Sequence, residues 1–434
     1  MSKAVHVFWF RRDLRLEDNR GLFEALSGDL PVLPVFIFDT EILEDLPRDD
    51  ARVTFLHDRL QEMRSRMQEQ YGSSLAIYQG KPVEVFRNLL ASWEVRAVYT
   101  NHDYEPYARK RDEQIRELLK EAGVAFHTFK DQVIFEKDEV VKDDGDPYVV
   151  YTPYMRKWKE AFKEVGLTVF DSGSRLSRLI EHSRLPNLDL GDLGFERSSI
   201  EVPGYELGEK LIDAYEDTRN FPAREGTSRL GPHLRFGTVS IRTALSRALN
   251  SENETFWNEL IWREFFMQIL WHFPHTVDQA FRKEYDRIEW RNDEAEFEKW
   301  KKGETGYALV DAGMRQLNSS GYMHNRVRML VASFLCKHLL IDWRWGEAYF
   351  AEKLLDYELA SNVGNWQWAA GSGVDAAPYF RIFNPMTQVD KFDREKAYIR
   401  KWIPEYGTEE YPDKMVDHKA ARERCLQTYK AALN

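Results

Sequence analysis

The nine residues 360 to 368, "ASNVGNWQW", set two tryptophans, Trp366 and Trp368, two positions apart beside a small, glycine-bearing stretch. On a helix, side chains at that spacing point about 200° apart, so one core stripe does not account for both rings. The surrounding segment, "DYELASNVGNWQWAAGSGVDAAPYFRIFNP" from 356 to 385, gathers acids, amides, two indoles, small residues and Arg381. Small residues let a flat ligand lie close to the backbone. A purely structural segment rarely needs all of these together.

Three other stretches carry residue types suited to chemistry. In "FPAREGTSRLGPHLRFG", residues 221 to 237, Gly226, Thr227 and Ser228 precede a helical-looking run. Hydroxyls and free amides at a helix start suit a pyrophosphate, and an ordinary N-cap is the simpler reading of that stretch alone. In "FWNELIWREFF", residues 256 to 266, Glu259 and Trp262 share a helix face and Glu259 can pair with Arg263. A carboxylate in so apolar a helix needs a partner or a task, and both readings stand. In "GYMHNRVRM", residues 321 to 329, Arg326 and Arg328 point to different sides, so one can meet phosphate while the other serves an inner carboxylate or cofactor; a solvated basic helix start competes. No second histidine stands at a ligand spacing from His324, so no metal site is expected.

These residues sit in a chain of 434, long enough for two or three domains. The net charge of −11 argues against a protein coated in phosphate-binding charge, so any nucleic-acid site must be local. Ten of the thirteen tryptophans fall between Trp257 and Trp402, more than packing normally demands. The two cysteines, Cys336 and Cys425, lie far apart without metal or redox spacing and read as buried small hydrophobes. No apolar run is long enough to span a bilayer and no secretory signal opens the chain, so a cytoplasmic protein is expected.

The elements that must position the chemistry fall into two patterns. Up to residue 134, β-rich runs ("VHVFWF", "PVLPVFIF", "SLAIYQG", "RAVYTN", "VAFHTF") alternate with amphipathic helices, which predicts a doubly wound parallel sheet. No G-x-G-x-x-G follows the first strand, so an ordinary dinucleotide site there is unsupported. Residues 135 to 204 lose periodicity and read as a long connection. From 205 to 434 nearly everything is helical, which predicts an α-helical domain without repeats.

Taken together, "FWFRRDLRLEDN", "EGTSRL", "ELIWREF", "MHNRVRM" and "NWQWAAGSGVDAAPYFRIFNP" make the chain resemble the photolyase and cryptochrome family over essentially its whole length, and within it a bacterial class I enzyme that repairs cyclobutane pyrimidine dimers. The resemblance implies an N-terminal Rossmann-like antenna domain and a C-terminal helical domain holding FAD. By that resemblance Tyr215, Thr227, Ser228, Arg229, Leu230, Gly231 and Arg263 line the cofactor's phosphate and ribityl region. Arg328 and Asp356 form an ion pair beside the isoalloxazine, Glu358 lies near its pyrimidine edge, and Asn362 faces N5, where an amide can satisfy either protonation state. Trp366, Trp343 and Trp290 are expected as an electron-transfer chain to the surface. Trp368 and Trp262 are expected to stack on a flipped-out dimer. Glu259 should hydrogen-bond its base edge and Met329 pack beside it, with Asn325, Arg219, Arg326 and Arg381 contacting the lesion or its phosphates.

The implied activity is light-driven dimer repair in DNA by electron transfer from excited reduced FAD, by a monomer without an obligate protein partner. A (6-4) photolyase would be expected to show a histidine pair where Asn325 and Met329 stand, and a cryptochrome-like photoreceptor commonly adds a C-terminal extension and alters the dimer contacts. Two departures are notable: Gly231 stands where many relatives carry serine, and Glu358 where aspartate is frequent. Glu105 resembles an antenna-pigment contact, but Thr276 and Val277 stand where folate-binding relatives supply cysteine and lysine. Methenyltetrahydrofolate, a deazaflavin, a second flavin or no pigment therefore all stay open.

Overall fold

The computed structural model describes residues 4–434 and divides into two compact units. Residues 1–136, 161–205 and 230–247 make up the first; residues 137–160, 206–229 and 248–434 make up the second.

The first unit is built on five parallel strands: β1 (Ala4–Phe10), β2 (Val32–Asp39), β3 (Ala76–Gly80), β4 (Glu94–Asn101) and β5 (Ala125–Phe129). Their order is β3-β2-β1-β4-β5, so the winding reverses beside β1. The inner strands are apolar on both faces because helices cover both, giving one core around Phe8, Phe36 and Met63 and another around Val7, Val35 and Ile115. The helices Ala51–Tyr71, Pro82–Ser92 and Pro106–Glu121 follow the periodicity read from sequence. The first stops at Gly72 in the left-handed conformation, and the other two open on proline, whose missing N–H is no loss at a helix start.

Two parts of the chain lie elsewhere than sequence periodicity puts them. Residues 230–247, expected within the helical domain, belong to the first unit. A buried ionic cluster holds them there: Arg242 donates to Asp18 at 2.8 Å and to Asp131 at 2.7 Å, and Asp131 also accepts from Arg15 at 2.5 Å. Gly237, at φ +64°, packs so tightly that a Cβ would sit 2.1 Å from the Arg12 carbonyl. Residues 135–204, expected as a connection, include the helix Tyr151–Val165 and are divided between the units.

The second unit packs the helices Thr255–His272, Ala308–Ser320, Asn325–Ser333, Trp343–Lys353, Leu359–Ala370 and His418–Leu433 around a large aromatic core with Trp300, Trp343 and Trp366 inside it. Its closest helix pairings depend on glycine. Gly364 lets Phe266 of the helix Thr255–His272 approach, since a Cβ there would lie 2.2 Å from its ring. Both cysteines are buried thiols. Among the described residues no helix is long and apolar enough to cross a membrane.

Candidate active site

A cleft opens in the second unit, and eight of the residues singled out from sequence line it. Asn325, Arg328 and Met329 come from the helix Asn325–Ser333, Asp356 and Glu358 from the loop after the helix Trp343–Lys353, and Asn362, Trp366 and Trp368 from the helix Leu359–Ala370. Arg328 and Asp356 form a bidentate pair at 3.1 and 2.9 Å, and Arg328 Nε donates to the Met323 carbonyl at 2.7 Å. The pair is thus fixed in plane at the cleft wall. Upstream, His324 caps its helix by accepting the Arg326 N–H at 3.2 Å; burial, helped by the Arg328 and Arg326 charges, lowers its pKa to about 4 and keeps it neutral.

The amide of Asn362 has one end between two oxygens, the Glu347 carbonyl at 3.1 Å and Glu347 Oε1 at 2.9 Å. That end must be Nδ2, so Oδ1 is the end left for a ligand in the cleft. An amide tied in this way offers an acceptor, which narrows the expectation that it could serve either protonation state of a partner. Glu347 was not foreseen from sequence; burial raises its pKa, while the Asn362 hydrogen bond works the other way. Glu358 caps the helix Leu359–Ala370 through the Ser361 N–H at 3.1 Å and the Ser361 hydroxyl at 3.0 Å. Its longer side chain therefore bends back to the helix start while bordering the cleft.

Trp366 and Trp368 both border this cleft, but in different settings. Trp366 is fully buried, edge-on to Phe350 at 5.0 Å and to Trp300 at 6.3 Å, and Gly346 makes room for its ring. Trp368 stays partly exposed, as the divergence of side chains two apart requires. Trp343 is buried beneath the Arg344 guanidinium at 4.8 Å, and Trp290 is partly buried, edge-on to Tyr429 at 6.0 Å. The ring contact between Trp300 and Trp366 was not foreseen.

A second group continues from the cleft through Met329. Arg326 reaches Met329 Sδ at 3.6 Å, donates to Asn220 and lies over Phe392 at 4.5 Å. Burial, then the Arg219 charge, lower the Arg326 pKa, with Glu259 and Arg381 also within electrostatic range. Arg219 and Glu259 are a close ion pair. Tyr215 stands edge-on to Phe256 at 5.1 Å, its phenol pKa raised by burial and by the Glu259 carboxylate. Trp262 is half-buried, one helical turn from Glu259.

The remaining expected residues are dispersed. Thr227, Ser228 and Arg229 belong to the second unit, with the Thr227 hydroxyl 3.3 Å from that of Tyr322 and Arg229 paired with Glu225. Leu230 and Gly231 belong to the first unit, where Leu230 holds the cap position of the helix Gly231–Arg235 without a side-chain cap. The N-cap reading of Thr227 and Ser228 is thereby corrected. Arg263 is half-buried on the helix Thr255–His272. In the first unit, Glu105 Oε1 accepts from Arg12 at 2.8 Å and from Arg235 at 3.0 Å.

A cleft walled by an indole, Phe350 and the small Ala332 and Ala369, and edged by an amide oxygen and a planar ion pair, suits a flat heterocycle with polar edges. Together with the doubly wound unit it defines a two-unit cofactor-binding protein. Residues 6–171 match the DNA photolyase family, and residues 256–408 match the FAD binding domain of DNA photolyase. A deoxyribodipyrimidine photo-lyase of Halobacterium salinarum is 39% identical, with 99% of each chain covered. A bacterial class III photolyase from Agrobacterium tumefaciens superposes with a TM-score of 0.87 at 35% identity, covering 100% of this chain and 98% of the other. An archaeal photolyase from Sulfolobus tokodaii with two FAD molecules gives 0.83, also at 35% identity, covering 98% and 99%. The chain belongs to the photolyase and cryptochrome family, and its helical part is an FAD-binding domain.

Proposed function

We propose that this protein repairs cyclobutane pyrimidine dimers in DNA under blue light, binding FAD in the cleft of its second unit and the flipped-out lesion beside it. The observation that carries the reading is the convergence of Asn362, the Arg328–Asp356 pair, Trp366 and Trp368 on one cleft, with Arg326 in contact with its Met329. FAD, reduced and excited by light, supplies the electron that opens the cyclobutane ring and takes it back afterwards.

Asn362, held at Nδ2 by Glu347 so that Oδ1 is presented, and the Arg328–Asp356 pair orient the ring system, and Glu358 lines its edge. Tyr215, Thr227, Ser228, Arg229 and Arg263 are assigned to the phosphates and ribityl chain. Trp290, Trp343 and Trp366 carry electrons inward from the surface. A dimer is poorly paired and stacked, so extruding it needs less than the few kcal/mol of a normal base, and stacking on Trp262 and Trp368 returns about 1–3 kcal/mol per base. Glu259 reads the base edge, with Asn325 and Met329 beside it, and Arg219, Arg326 and Arg381 meet phosphates despite the acidic total.

The class I placement is part of this proposal, as are the antenna role of the sheet-bearing unit, the catalytic role of the helical unit and action as a cytoplasmic monomer. A pigment contact at Glu105 would use the oxygen that Arg12 and Arg235 do not engage.

Glu259→Ala tests the lesion assignment. With dimer-containing DNA at saturation and chemically reduced enzyme, repair per photon should fall several-fold while FAD stays bound. Loss of FAD from this variant would instead make Glu259 a structural residue.

A further inference from the structure

The segment between the two sequence patterns contributes an aromatic face that the expected site did not include. Tyr151, Tyr154 and Trp158, spaced by three and four, lie on one side of the helix Tyr151–Val165 and pack on the helix Thr255–His272. Trp158 Nε1 donates to Glu264 at 2.5 Å, Tyr154 lies 5.3 Å from Phe265, and Gln268 donates to the Tyr148 carbonyl at 2.8 Å.

Tyr151 has the most specific contacts of the three. Its ring lies 3.6 Å from that of Trp262, with planes 7° apart, so the two are fully face to face. Aromatic pairs in cores prefer offset or edge-on arrangements, which an eclipsed stack gives up. A hydrogen bond holds the ring there: the phenol donates to the Asn258 carbonyl at 2.7 Å, one turn before Trp262. Tyr151 is 8% exposed, whereas Trp262 keeps accessible surface. Phe266, 5.6 Å away at 28°, bounds the indole as well.

We propose that Tyr151 is a positioning residue for lesion recognition: held by the Asn258 carbonyl, it fixes the plane of Trp262 and so presents a preset surface to the extruded dimer. This rests on the assignment of Trp262 to the lesion. An indole free to turn loses rotamer entropy each time a base stacks on it, whereas a preset one does not. The effect belongs to damaged DNA alone, because undamaged duplex does not place a base there.

The test is dark binding of a thymine-dimer duplex and of the same undamaged duplex to the flavin-loaded full chain, for wild type, Tyr151→Leu, Tyr151→Phe and Trp262→Ala. Tyr151→Leu should weaken dimer binding about tenfold, within the range of one stacking contact, and leave undamaged binding as in wild type. Tyr151→Phe keeps the stacked ring and should recover dimer affinity to within about threefold, the remainder being the lost hydrogen bond to Asn258. Dimer binding by Tyr151→Leu equal to wild type, with Trp262→Ala impaired, would overturn the proposal and leave the lesion assignment intact. Unimpaired Trp262→Ala would overturn both. Loss of FAD or equal weakening on both DNAs in Tyr151→Leu, without recovery in Tyr151→Phe, would make Tyr151 a structural residue only.

Discussion

Gly346→Ala is a one-carbon change that probes the seat of Trp366. Gly346 lies inside the helix Trp343–Lys353 with ordinary helical backbone, so alanine is allowed there and gains up to about 1 kcal/mol of helix propensity. The added Cβ would lie 2.1 Å from Cη2 and 2.4 Å from Cζ3 of Trp366, and 2.6 Å from Leu335 Cδ2. Ordinary contact begins near 3.4 Å, so the indole must retreat by roughly 1.3 Å. Phe350 and Trp300 stand edge-on to the ring, while the cleft is its open side, so the retreat is toward the cofactor. Overpacking of this kind costs about 1–3 kcal/mol, which leaves a net loss of up to about 2 kcal/mol after the propensity gain. A unit of this size should then melt up to about 8 °C lower. The assay is flavin absorbance per protein, the rate of FAD photoreduction under blue light, and the melting temperature. Gly364→Ala, which crowds Phe266 instead, is the control: it should lower the melting temperature and leave photoreduction near wild type. Full flavin loading and wild-type photoreduction in Gly346→Ala would refute the reasoning.

Other expectations follow from the same geometry. Trp366→Phe should abolish photoreduction of oxidised FAD and leave dimer repair by chemically reduced enzyme largely intact, measured by flavin absorbance and by high-performance chromatography of the dimer. Asp131→Asn removes a carboxylate shared by Arg15 and Arg242 in a buried cluster and should destabilise the first unit by about 3–5 kcal/mol in urea unfolding. Although burial alone would raise it, the Asp131 pKa is held down to about 2 by Arg15 and Arg242. Its stabilisation is therefore full above the ordinary carboxylate pKa of about 3.9 and lost as pH falls from there toward 2, and Asp131→Asn should flatten that part of the acid-unfolding profile. Arg381→Ala should weaken damaged and undamaged DNA alike and reduce the slope of log K against log salt by about 0.9.

Much of the fold was legible because its signals are local. Strand runs apolar on both faces, alternating with helices that end at Gly72 or start at Pro82 and Pro106, declare a parallel sheet with no long-range information. The allocation of residues 230–247 was not legible, since Arg242 finds Asp18 across 224 positions of sequence. Within the site, the helix Leu359–Ala370 forms over its motif and Arg328 pairs with Asp356. Glu347 and Trp300 were missed because each packs its side chain against another element from an otherwise ordinary helix, and Tyr151 because its segment lost periodicity and read as a connection. The divergence of Trp366 and Trp368 came from helix geometry alone, whereas the sharing of one cleft by both required the tertiary structure.

The central claim is most directly tested by incubating the purified, reduced protein with a thymine-dimer oligonucleotide under blue light and in darkness, with a (6-4) lesion in parallel. The account predicts loss of the cyclobutane dimer only in the light and no change in the (6-4) lesion. A protein that binds and photoreduces FAD but leaves both lesions untouched would contradict it and point to a photoreceptor; repair of the (6-4) lesion would overturn the lesion assignment instead.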